Sequence, residues 1–267
     1  MRVLVTGCST GIGRATATEL ATRGHSVVAT ARKPATLADL DVADRIALDV
    51  DSDDSVAAAL AAAGELDALV NNAGFGVGGP VEKVPLAEVR RMFETNFFGA
   101  VRMMQAVMPG WRERGSGTIV NVTSVSGVVA APLSGFYSAT KFALEAVTEA
   151  ARIELGHYGV RVLSVQPGYI ETAFGANTTN YGEDEPPYDE LAKLWTEAEN
   201  TLAMTGGNGE RQQADMVARV IADAVESNES KRHWPAGTDA EMIVGTRETT
   251  PYDQFEAAMR AMLNLDW

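Results

Sequence analysis

A chain of 267 residues that is 46% apolar can bury one substantial core, so we predict a single domain over residues 1–267. Its formal net charge of −14 argues against a nucleic-acid surface, because the phosphate backbone is bound mainly by Lys and Arg. With one cysteine, no basic leader and no apolar run of about 18 residues, we expect a cytoplasmic protein without an internal disulfide or a membrane span.

Short β-branched runs alternate with helical patterns along the first 170 or so residues. The strand patterns are RVLVT, SVVATA, RIALDV, DALVNNAG, GTIVNVTS and VRVLSVQPG, and the longest helical patterns cover about 86–114 and 135–157. This alternation predicts parallel strands joined by helical crossovers. The continuous runs VLV, VVA and VLSV are typical of strands that are covered on both faces. We therefore predict an α/β fold with a doubly wound, mainly parallel sheet and helices on both faces.

The composition changes after residue 171. Residues 172–209 are rich in Asn, Thr, Gly, Glu and Pro, which predicts a variable loop over the sheet, either a mobile lid or a solvated excursion. Helical periodicity resumes in QADMVARVIADAVES. The run EMIVG predicts an edge strand, and FEAAMRAMLNLDW predicts an amphipathic tail.

A glycine-rich turn, TGCSTGIG at residues 6–13, follows the first strand and precedes a helix that we expect to begin near Arg14. Gly7, Gly11 and Gly13 allow the backbone to turn sharply and to approach a pyrophosphate, which the amides and positive dipole end of the helix attract. A tight turn without a ligand is the alternative. The spacing is G-x-x-x-G-x-G, which differs from the G-x-G-x-x-G of ordinary dinucleotide-binding domains.

Five motifs follow one another in the order found in one enzyme family. The glycine-rich turn is followed by NNAG at 71–74, Asn96, Ser124, YSATK at 137–141 and PG at 167–168. Residues 1–172 thereby resemble the short-chain dehydrogenase/reductase family in its compact single-domain form. The resemblance implies a Rossmann-like sheet, a nicotinamide cofactor and hydride transfer to or from a carbonyl or alcohol carbon. NNAGFGVGGPVEKVP and RRMFETNFFGAVRMMQAVMP resemble the hydroxysteroid and retinol dehydrogenase-like branch.

The resemblance implies that Tyr137 is the general acid in reduction and the general base in oxidation. A tyrosine titrates near pH 10, so we expect the cation of Lys141 to lower the pKa of Tyr137. The two side chains stand four residues apart and thus share a helix face. In the family this lysine also holds the nicotinamide ribose hydroxyls.

Two further catalytic residues are implied by the resemblance. Ser124 would hydrogen-bond the substrate oxygen, with Ser126 as the nearby alternative. Asn96 would anchor a water that connects Lys141 to solvent, since a buried proton donor must be supplied again in every turnover. A solvent-facing asparagine is the simpler interpretation of Asn96.

The resemblance also implies the cofactor contacts. Pro167, Gly168 and Thr172 resemble the turn that receives the nicotinamide amide. Asp49 resembles the carboxylate that binds the adenine amino group, although it could equally cap the helix that follows. The implied cofactor-binding positions are Gly7, Ser9, Thr10, Gly11, Ile12, Gly13, Arg32, Asp49, Val50, Asn72, Ala73, Gly74, Tyr137, Lys141, Pro167, Gly168, Ile170 and Thr172.

The end of the second strand, VVATARK, bears on the choice between NAD and NADP. Enzymes of this fold that prefer NAD place a carboxylate there, and Ala31 stands at that position. Arg32 follows and can pair with a 2′-phosphate, with Lys33 nearby, whereas the family's other basic position is Thr10. We predict NADP as the cofactor. Solvated loop cations are the alternative.

The predicted activity is oxidoreduction of a ketone, aldehyde or secondary alcohol of apolar character. Alternatives are a 3-oxoacyl carrier-protein reductase, or a catalytically silent protein that senses the cofactor. No metal site is predicted, because His25, His157 and His233 are scattered. The helices over 86–114 and around Tyr137 carry apolar residues on more than one face, and the family commonly pairs them between subunits. We therefore expect a homodimer or homotetramer.

Overall fold

The computed structural model describes residues 1–176, 178–204, 212–229 and 231–265. Its main feature is a seven-stranded sheet in the order β11-β7-β6-β4-β1-β2-β3, in which all neighbouring strands are parallel. Two short parallel pairs, β8 with β10 and β5 with β9, lie outside it. The strands are β1 (Arg2–Val5), β2 (Ser26–Ala31), β3 (Asp44–Ala47), β4 (Ala68–Asn71), β5 (Val77–Gly78), β6 (Gly117–Val122), β7 (Val160–Pro167), β8 (Ile170–Glu171), β9 (Thr179–Asn180), β10 (Gln212–Gln213) and β11 (His233–Ala236).

Helices cover both faces of this sheet, so the prediction of a doubly wound α/β fold is confirmed. The π segment Glu94–Gly99 joins two of them into one continuous helical stretch. The helices are α1 (Gly11–Thr22), α2 (Asp53–Ala63), α3 (Leu86–Phe93), α4 (Ala100–Arg114), α5 (Gly135–Gly156), α6 (Ala173–Ala176), α7 (Asp189–Ala203), α8 (Ala214–Glu226), α9 (Thr238–Thr249) and α10 (Tyr252–Met262).

The apolar strand runs feed two separate cores, one on each face of the sheet. Val3 and Val5 of β1 belong to the core under α1 and α8, whereas Leu4 between them belongs to the core under α2, α4 and α5. Successive side chains of a strand point to opposite faces, so a strand that is covered on both sides is apolar at most positions. This explains the unbroken RVLV and SVVATA patterns.

The strand order reverses between β1 and β4. From β1 the chain proceeds outward through β2 and β3, and it then returns to the other side of β1 with β4, β6, β7 and β11. In an open parallel sheet, such a switch point leaves a crevice outside the carboxyl ends of the strands. The fold therefore places its ligand crevice at the ends of β1 and β4.

The predicted edge strand EMIVG is wrong. These residues lie inside α9, and the edge strand of the sheet is β11, with the sequence HWPA. Ala240 and Val244 stand one helical turn apart and pack on Val125. The run of apolar residues in EMIVG predicts a strand, but the buried positions Ala240 and Val244 have helical spacing.

The segment 172–209 is more ordered than its composition suggests. It contains α7, whose Trp195 and Ala198 are buried against Leu263 from the tail. The part of the predicted loop at 205–209 lies outside the described residues. The long helix predicted over about 86–114 is present as α3, the π segment and α4, and the helix over about 135–157 is α5. Within the described residues, none of the helices is long and apolar enough to cross a bilayer.

Cys8 generates a test of how the glycine-rich turn is packed. Its thiol is fully buried and donates a hydrogen bond to the Val5 carbonyl at 3.1 Å, and burial raises the pKa of the thiol to about 12. Because the thiolate is the reactive form, labelling by a thiol reagent at pH 8 should be at least about 100-fold slower in native protein than in urea. Equal rates with and without urea would contradict the packing.

The same shift predicts a pH dependence of stability. The unfolded thiol ionises near its ordinary pKa of 9.0, whereas the buried thiol stays protonated to about 12. The contribution of Cys8 to the free energy of unfolding is thus present below pH 9 and is lost as the pH rises above it. Urea denaturation of wild type and Cys8→Ala between pH 7.5 and about 10 measures it, since the alanine variant should show the smaller decline.

Candidate active site

The glycine-rich turn lies directly against the end of β4. Gly7 has a φ of +73°, which favours glycine. A Cβ added to Gly13 would collide with the Asn72 side-chain amide and the Gly7 carbonyl. The sequence requires glycine at position 13 because β4 and the turn touch there, and the backbone remains accessible from the crevice.

The backbone amides of the first turn of α1 present an uncompensated partial positive charge to the crevice. Thr10 is the N-cap residue, yet its side chain makes no capping hydrogen bond, and the first turn contains no acidic residue. The amide dipoles at this end are therefore uncompensated, which suits an anion. Thr10 is exposed, Ser9 and Gly11 are half-buried, and Ile12 packs on the core beneath them.

The NNAG motif is fastened to the turn by Thr6. The backbone amides of Asn72 and Ala73 both donate to Thr6 Oγ1 at 2.9 Å, and Asn72 Nδ2 donates to the Thr6 carbonyl at 2.9 Å. A Cβ on Gly74 would lie 3.1 Å from Asn96 Oδ1. NNAG thus connects the glycine-rich turn to Asn96.

The structure places the predicted adenine-side residues beyond β2 and β3. Arg32 directly follows β2 and is exposed. Asp49 and Val50 follow β3, where the Asp49 carboxylate accepts a hydrogen bond from the Asp51 amide at 3.2 Å. The cap of α2 is Ser52, so the alternative role of Asp49 as a helix cap is wrong.

The loop after β7 closes the other side of the crevice. A Cβ added to Gly11 would lie 3.5 Å from Thr172, which puts this loop next to the glycine-rich turn. Ile170 pairs with Gln212 in the short β8–β10 ladder. Asp239, which sequence reasoning missed, fully buries its carboxylate against Gly168 and accepts the Tyr169 amide at 2.6 Å. Its only sequence signal is an acidic residue in the first turn of a helix.

Tyr137 and Ser124 meet at the centre of the crevice. The Ser124 hydroxyl lies close enough to the Tyr137 phenol to act on its pKa, and Ser124 Oγ accepts the Ser126 amide at 3.0 Å. Of the two candidate serines, Ser124 is therefore the one whose side chain reaches Tyr137. It follows the end of β6, while Tyr137 stands in the first turn of α5.

Burial raises the pKa of Tyr137 to about 12, although the hydrogen bond with Ser124 acts in the opposite direction. The net direction is opposite to the expected lowering, because desolvation is the largest effect on this pKa. The Lys141 Nζ lies 5.7 Å from the centroid of the tyrosine ring and donates to the Val122 carbonyl at 2.9 Å instead. The phenol therefore stays protonated at neutral pH, which is the state that a proton donor requires.

Lys141 is 5% exposed and stands one helical turn after Tyr137. Burial lowers the pKa of its ammonium to about 8, although Glu145 one further turn along acts to raise it. The structure thus places a partly buried tyrosine, a buried lysine and a buried glutamate along one face of α5. Sequence reasoning found the first two and missed Glu145.

Asn96 lies in the π segment and is 1% exposed, so the solvent-facing interpretation is wrong. Its amide forms a two-way pair with Phe75, accepting the amide at 3.0 Å and donating to the carbonyl at 2.9 Å. Asn96 Nδ2 also lies 3.3 Å from Thr140 Oγ1, which donates to the Tyr137 carbonyl. Asn96 therefore joins the NNAG loop to the helix of Tyr137.

An aromatic side chain from the loop covers Tyr137. The ring of Phe174 meets the Tyr137 ring edge-on, with centroids 5.5 Å apart. The Phe174 ring would lie 2.9 Å from a Cβ on Gly76, so glycine leaves it room there. Beyond it, β9 pairs with β5, which carries the loop across the crevice. Loop composition gave no signal for this contact.

Comparison with known proteins agrees with this geometry. The short chain dehydrogenase family model matches residues 1–182. The chain belongs to the short-chain dehydrogenase/reductase family. A short-chain dehydrogenase from Streptomyces avermitilis superposes with a TM-score of 0.83 at 32% identity, over 100% of this chain and 99% of that one. A Burkholderia cenocepacia short chain dehydrogenase in complex with NADP gives 0.76 at 28%, over 98% and 96%.

Curated relatives in this family include enzymes with named substrates. The chain is 40% identical over 179 residues to the 3-ketodihydrosphingosine reductase of Bacteroides thetaiotaomicron, a match that covers 66% of each protein. It is 42% identical over 185 residues to retinol dehydrogenase 8 of Homo sapiens, which covers 64% of this chain and 60% of that one. The resemblance to the retinol dehydrogenase-like branch is thereby confirmed.

Gly13→Ala tests the contact between the turn and β4. The added Cβ meets the Asn72 amide and the Gly7 carbonyl, so we expect the free energy of unfolding to fall by about 1–3 kcal/mol. The control is Gly110→Ala in α4, where a Cβ meets nothing within 4 Å and should stabilise the helix by roughly 0.5–1 kcal/mol. Urea denaturation measures both, and a neutral Gly13→Ala would contradict the contact.

Proposed function

We propose that this short-chain dehydrogenase transfers a hydride between NADP(H) and a ketone, aldehyde or secondary alcohol, with Tyr137 as general acid and base. The observation that carries the proposal is the proximity of the Tyr137 and Ser124 hydroxyls beside the buried Lys141, at the carboxyl ends of the strands. A protonated phenol in this position can donate to an oxygen held by Ser124. All four residues Asn96, Ser124, Tyr137 and Lys141 are retained, which disfavours a catalytically silent protein.

The crevice has the features that a dinucleotide requires. The open α1 amides and the glycine cradle at Gly13 would hold the pyrophosphate, and Asp49 and Val50 would meet the adenine. The loop from Pro167 to Thr172 would receive the nicotinamide amide, and Lys141 the ribose. The remaining contacts would come from Gly7, Ser9, Thr10, Gly11, Ile12, Arg32, Asn72, Ala73, Gly74, Tyr137, Gly168 and Ile170.

In the reductive direction, the bound reduced cofactor supplies a hydride to the carbonyl carbon. Ser124 orients the carbonyl oxygen, and Tyr137 gives its hydroxyl proton to the alkoxide that forms there. The oxygen gains this proton while Tyr137 becomes a phenolate, whose charge the nearby Lys141 ammonium stabilises. Asn96 fixes the start of α5 and thereby the position of Tyr137. In oxidation the same phenolate takes the proton back.

NADP is favoured by the distribution of cations around the end of β2. Arg14, the other arginine near this point, is engaged by Asp39 at 2.5 Å and by the Thr36 carbonyl at 3.3 Å. Arg32 is exposed beside the buried Ala31 and can turn its guanidinium to a 2′-phosphate. No carboxylate occupies position 31 to repel that phosphate.

An apolar substrate fits the residues beside Tyr137. Tyr137 packs on a cluster that contains Val77, Met92, Phe75 and Tyr181, and Phe174 covers it. We propose that residues 172–209 form the substrate loop. The relatives named 3-ketodihydrosphingosine reductase and retinol dehydrogenase 8 support a lipophilic carbonyl or alcohol. An assay panel should also include a 3-oxoacyl group on its carrier protein.

A homodimer or homotetramer remains our proposal for the assembly. It is supported by exposed apolar side chains on the two long helices, notably Phe142 and Ile153 of α5 and Phe98 in the π segment. A cytoplasmic location is likewise retained as a proposal from the sequence.

Tyr137→Phe tests the proton donor. Removal of the hydroxyl should lower kcat for carbonyl reduction by about 10²- to 10⁴-fold, because general acid catalysis contributes that much, while the cofactor Kd stays nearly unchanged. Tyr158→Phe, an exposed tyrosine just after α5, is the matched control and should keep full activity. Lys141→Ala should instead raise the cofactor Kd and lower kcat. Near-full activity of Tyr137→Phe would remove Tyr137 from the mechanism.

Cofactor choice is tested by the double change Ala31→Asp with Arg32→Ala. The new carboxylate repels the 2′-phosphate and the guanidinium is lost, so the ratio of kcat/KM for NADPH over NADH should fall by at least about 10-fold. Arg112→Ala, which removes an exposed arginine from α4, controls for the loss of one surface cation. Measurements need one ionic strength, since exposed contacts are screened. A wild type that prefers NADH would refute the assignment of Arg32.

A further inference from the structure

Glu145 is a buried carboxylate that the proposed mechanism does not use. It is 9% exposed and stands one helical turn after Lys141 on α5, so both side chains lie on the same face of the helix. The backbone of Gly127 packs closely against this helix face. A Cβ on Gly127 would lie 3.0 Å from Glu145 Cγ and 3.2 Å from the Lys141 carbonyl. A buried acid beside a buried base requires a physical reason.

The carboxylate is built to be ionised. Its Oε1 accepts hydrogen bonds from Thr123 Oγ1 at 2.6 Å and Gln166 Nε2 at 2.8 Å, and its Oε2 accepts from Ser164 Oγ at 3.0 Å. His233 Nε2 lies 3.4 Å from Oε2. Burial acts to raise the pKa of Glu145, but the hydrogen bonds from His233, Thr123 and Gln166 outweigh it and hold the pKa below its ordinary value.

The same contacts attach Glu145 to the parts of the active site. Thr123 lies between Val122, whose carbonyl accepts Lys141 Nζ, and Ser124. Gln166 precedes Pro167 at the end of β7, and His233 begins the edge strand β11. The side chain of Glu145 therefore links α5, the helix of Tyr137, to β7, β11 and the end of β6, close to Lys141.

We propose that Glu145 is a positioning residue whose negative charge keeps Lys141 in its ammonium form at neutral pH. The inference rests on the proposed function, in which that ammonium stabilises the phenolate of Tyr137. Lys141 has lost most of its water, and Glu145 is the carboxylate one turn away that offsets this loss. Without Glu145, the pKa of Lys141 would fall below its value of about 8, so a larger fraction of the lysine would be neutral between pH 7 and 8.

The other charged groups around this pair lie farther along the network. On α5 they are Tyr137 and Glu149, and Glu149 pairs with Arg232 at 2.7 Å. Arg232 also approaches His233 Nδ1 at 3.5 Å, and Glu248 of α9 lies 3.8 Å from the same nitrogen. The contacts from β6 and β7 come from uncharged side chains, Thr123, Ser164 and Gln166. A change at Glu145 therefore removes a negative charge near Lys141 and also removes a partner of His233.

Protein labelled with ¹³C at lysine reads the protonation of Lys141 without substrate or turnover. The chain has five lysines, and Lys141→Arg identifies the signal of Lys141. The midpoint of its titration should fall by at least about one pH unit in Glu145→Gln, which removes the charge and keeps the size. Glu145→Asp, which keeps the charge, should stay closer to wild type. Glu149→Gln, the same change at an exposed position two turns from Lys141, should leave the midpoint in place.

An unchanged midpoint in Glu145→Gln, or an equal shift in Glu149→Gln, would overturn the proposal. If Glu145→Gln does not fold, the double variant with Lys141→Met decides the question. Removal of the cation should restore the fold when the defect is an unbalanced buried charge. A double variant that is as unstable as Glu145→Gln would show that Glu145 is only a structural cross-link.

Activity separates this inference from the proposed function. In Glu145→Gln, carbonyl reduction should be about fivefold lower than in wild type at pH 8 and should approach wild type at pH 6, where Lys141 is protonated again. Tyr137→Phe should recover at neither pH. If the wild-type enzyme is active but Glu145→Gln leaves the titration midpoint of Lys141 unchanged, this inference alone is refuted. A shifted midpoint in a chain without dehydrogenase activity refutes the proposed function alone.

Discussion

The contact of Asn72 with the backbone of the glycine-rich turn is the constraint on which the crevice depends. It joins the first strand of one half of the sheet to the first strand of the other, at the point where the strand order reverses. The glycine at position 13 exists because no side chain fits there. From this junction, NNAG leads to Asn96, and Asn96 leads to the helix of Tyr137. The glycine-rich turn and Tyr137 are thus joined by a continuous series of hydrogen bonds and close contacts.

Much of the fold could be predicted because a strand covered on both faces is apolar at most positions. RVLV, SVVATA and VRVLSV carry this signal, and all are strands of the central sheet. EMIVG carries a similar composition but lies in a helix, since Ala240, outside the run, shares its buried face with Val244. The edge strand HWPA was not predicted from the sequence, because it is half-buried and contains a proline.

The site was predictable where motif spacing reflects a local geometry. Tyr137 and Lys141 follow from one turn of helix, and Gly7 and Gly13 from a turn that excludes side chains. Glu145, Asp239 and Phe174 were missed because their partners lie far along the chain. The expected direction of the Tyr137 pKa was also wrong, because sequence reasoning counted a nearby cation and neglected desolvation.

The π segment at Glu94–Gly99 explains how one helical stretch packs into two different apolar clusters. Each π turn holds one residue more than an α turn, so the faces of α3 and α4 are offset by about 100°. α3 buries Val89 and Met92 in the cluster beside Tyr137, while α4 buries Met103 and Trp111 in the main core. The bulge thereby allows α3 and α4 to bury their apolar side chains in two different clusters. It also fixes Asn96, which stands at the pivot between the two.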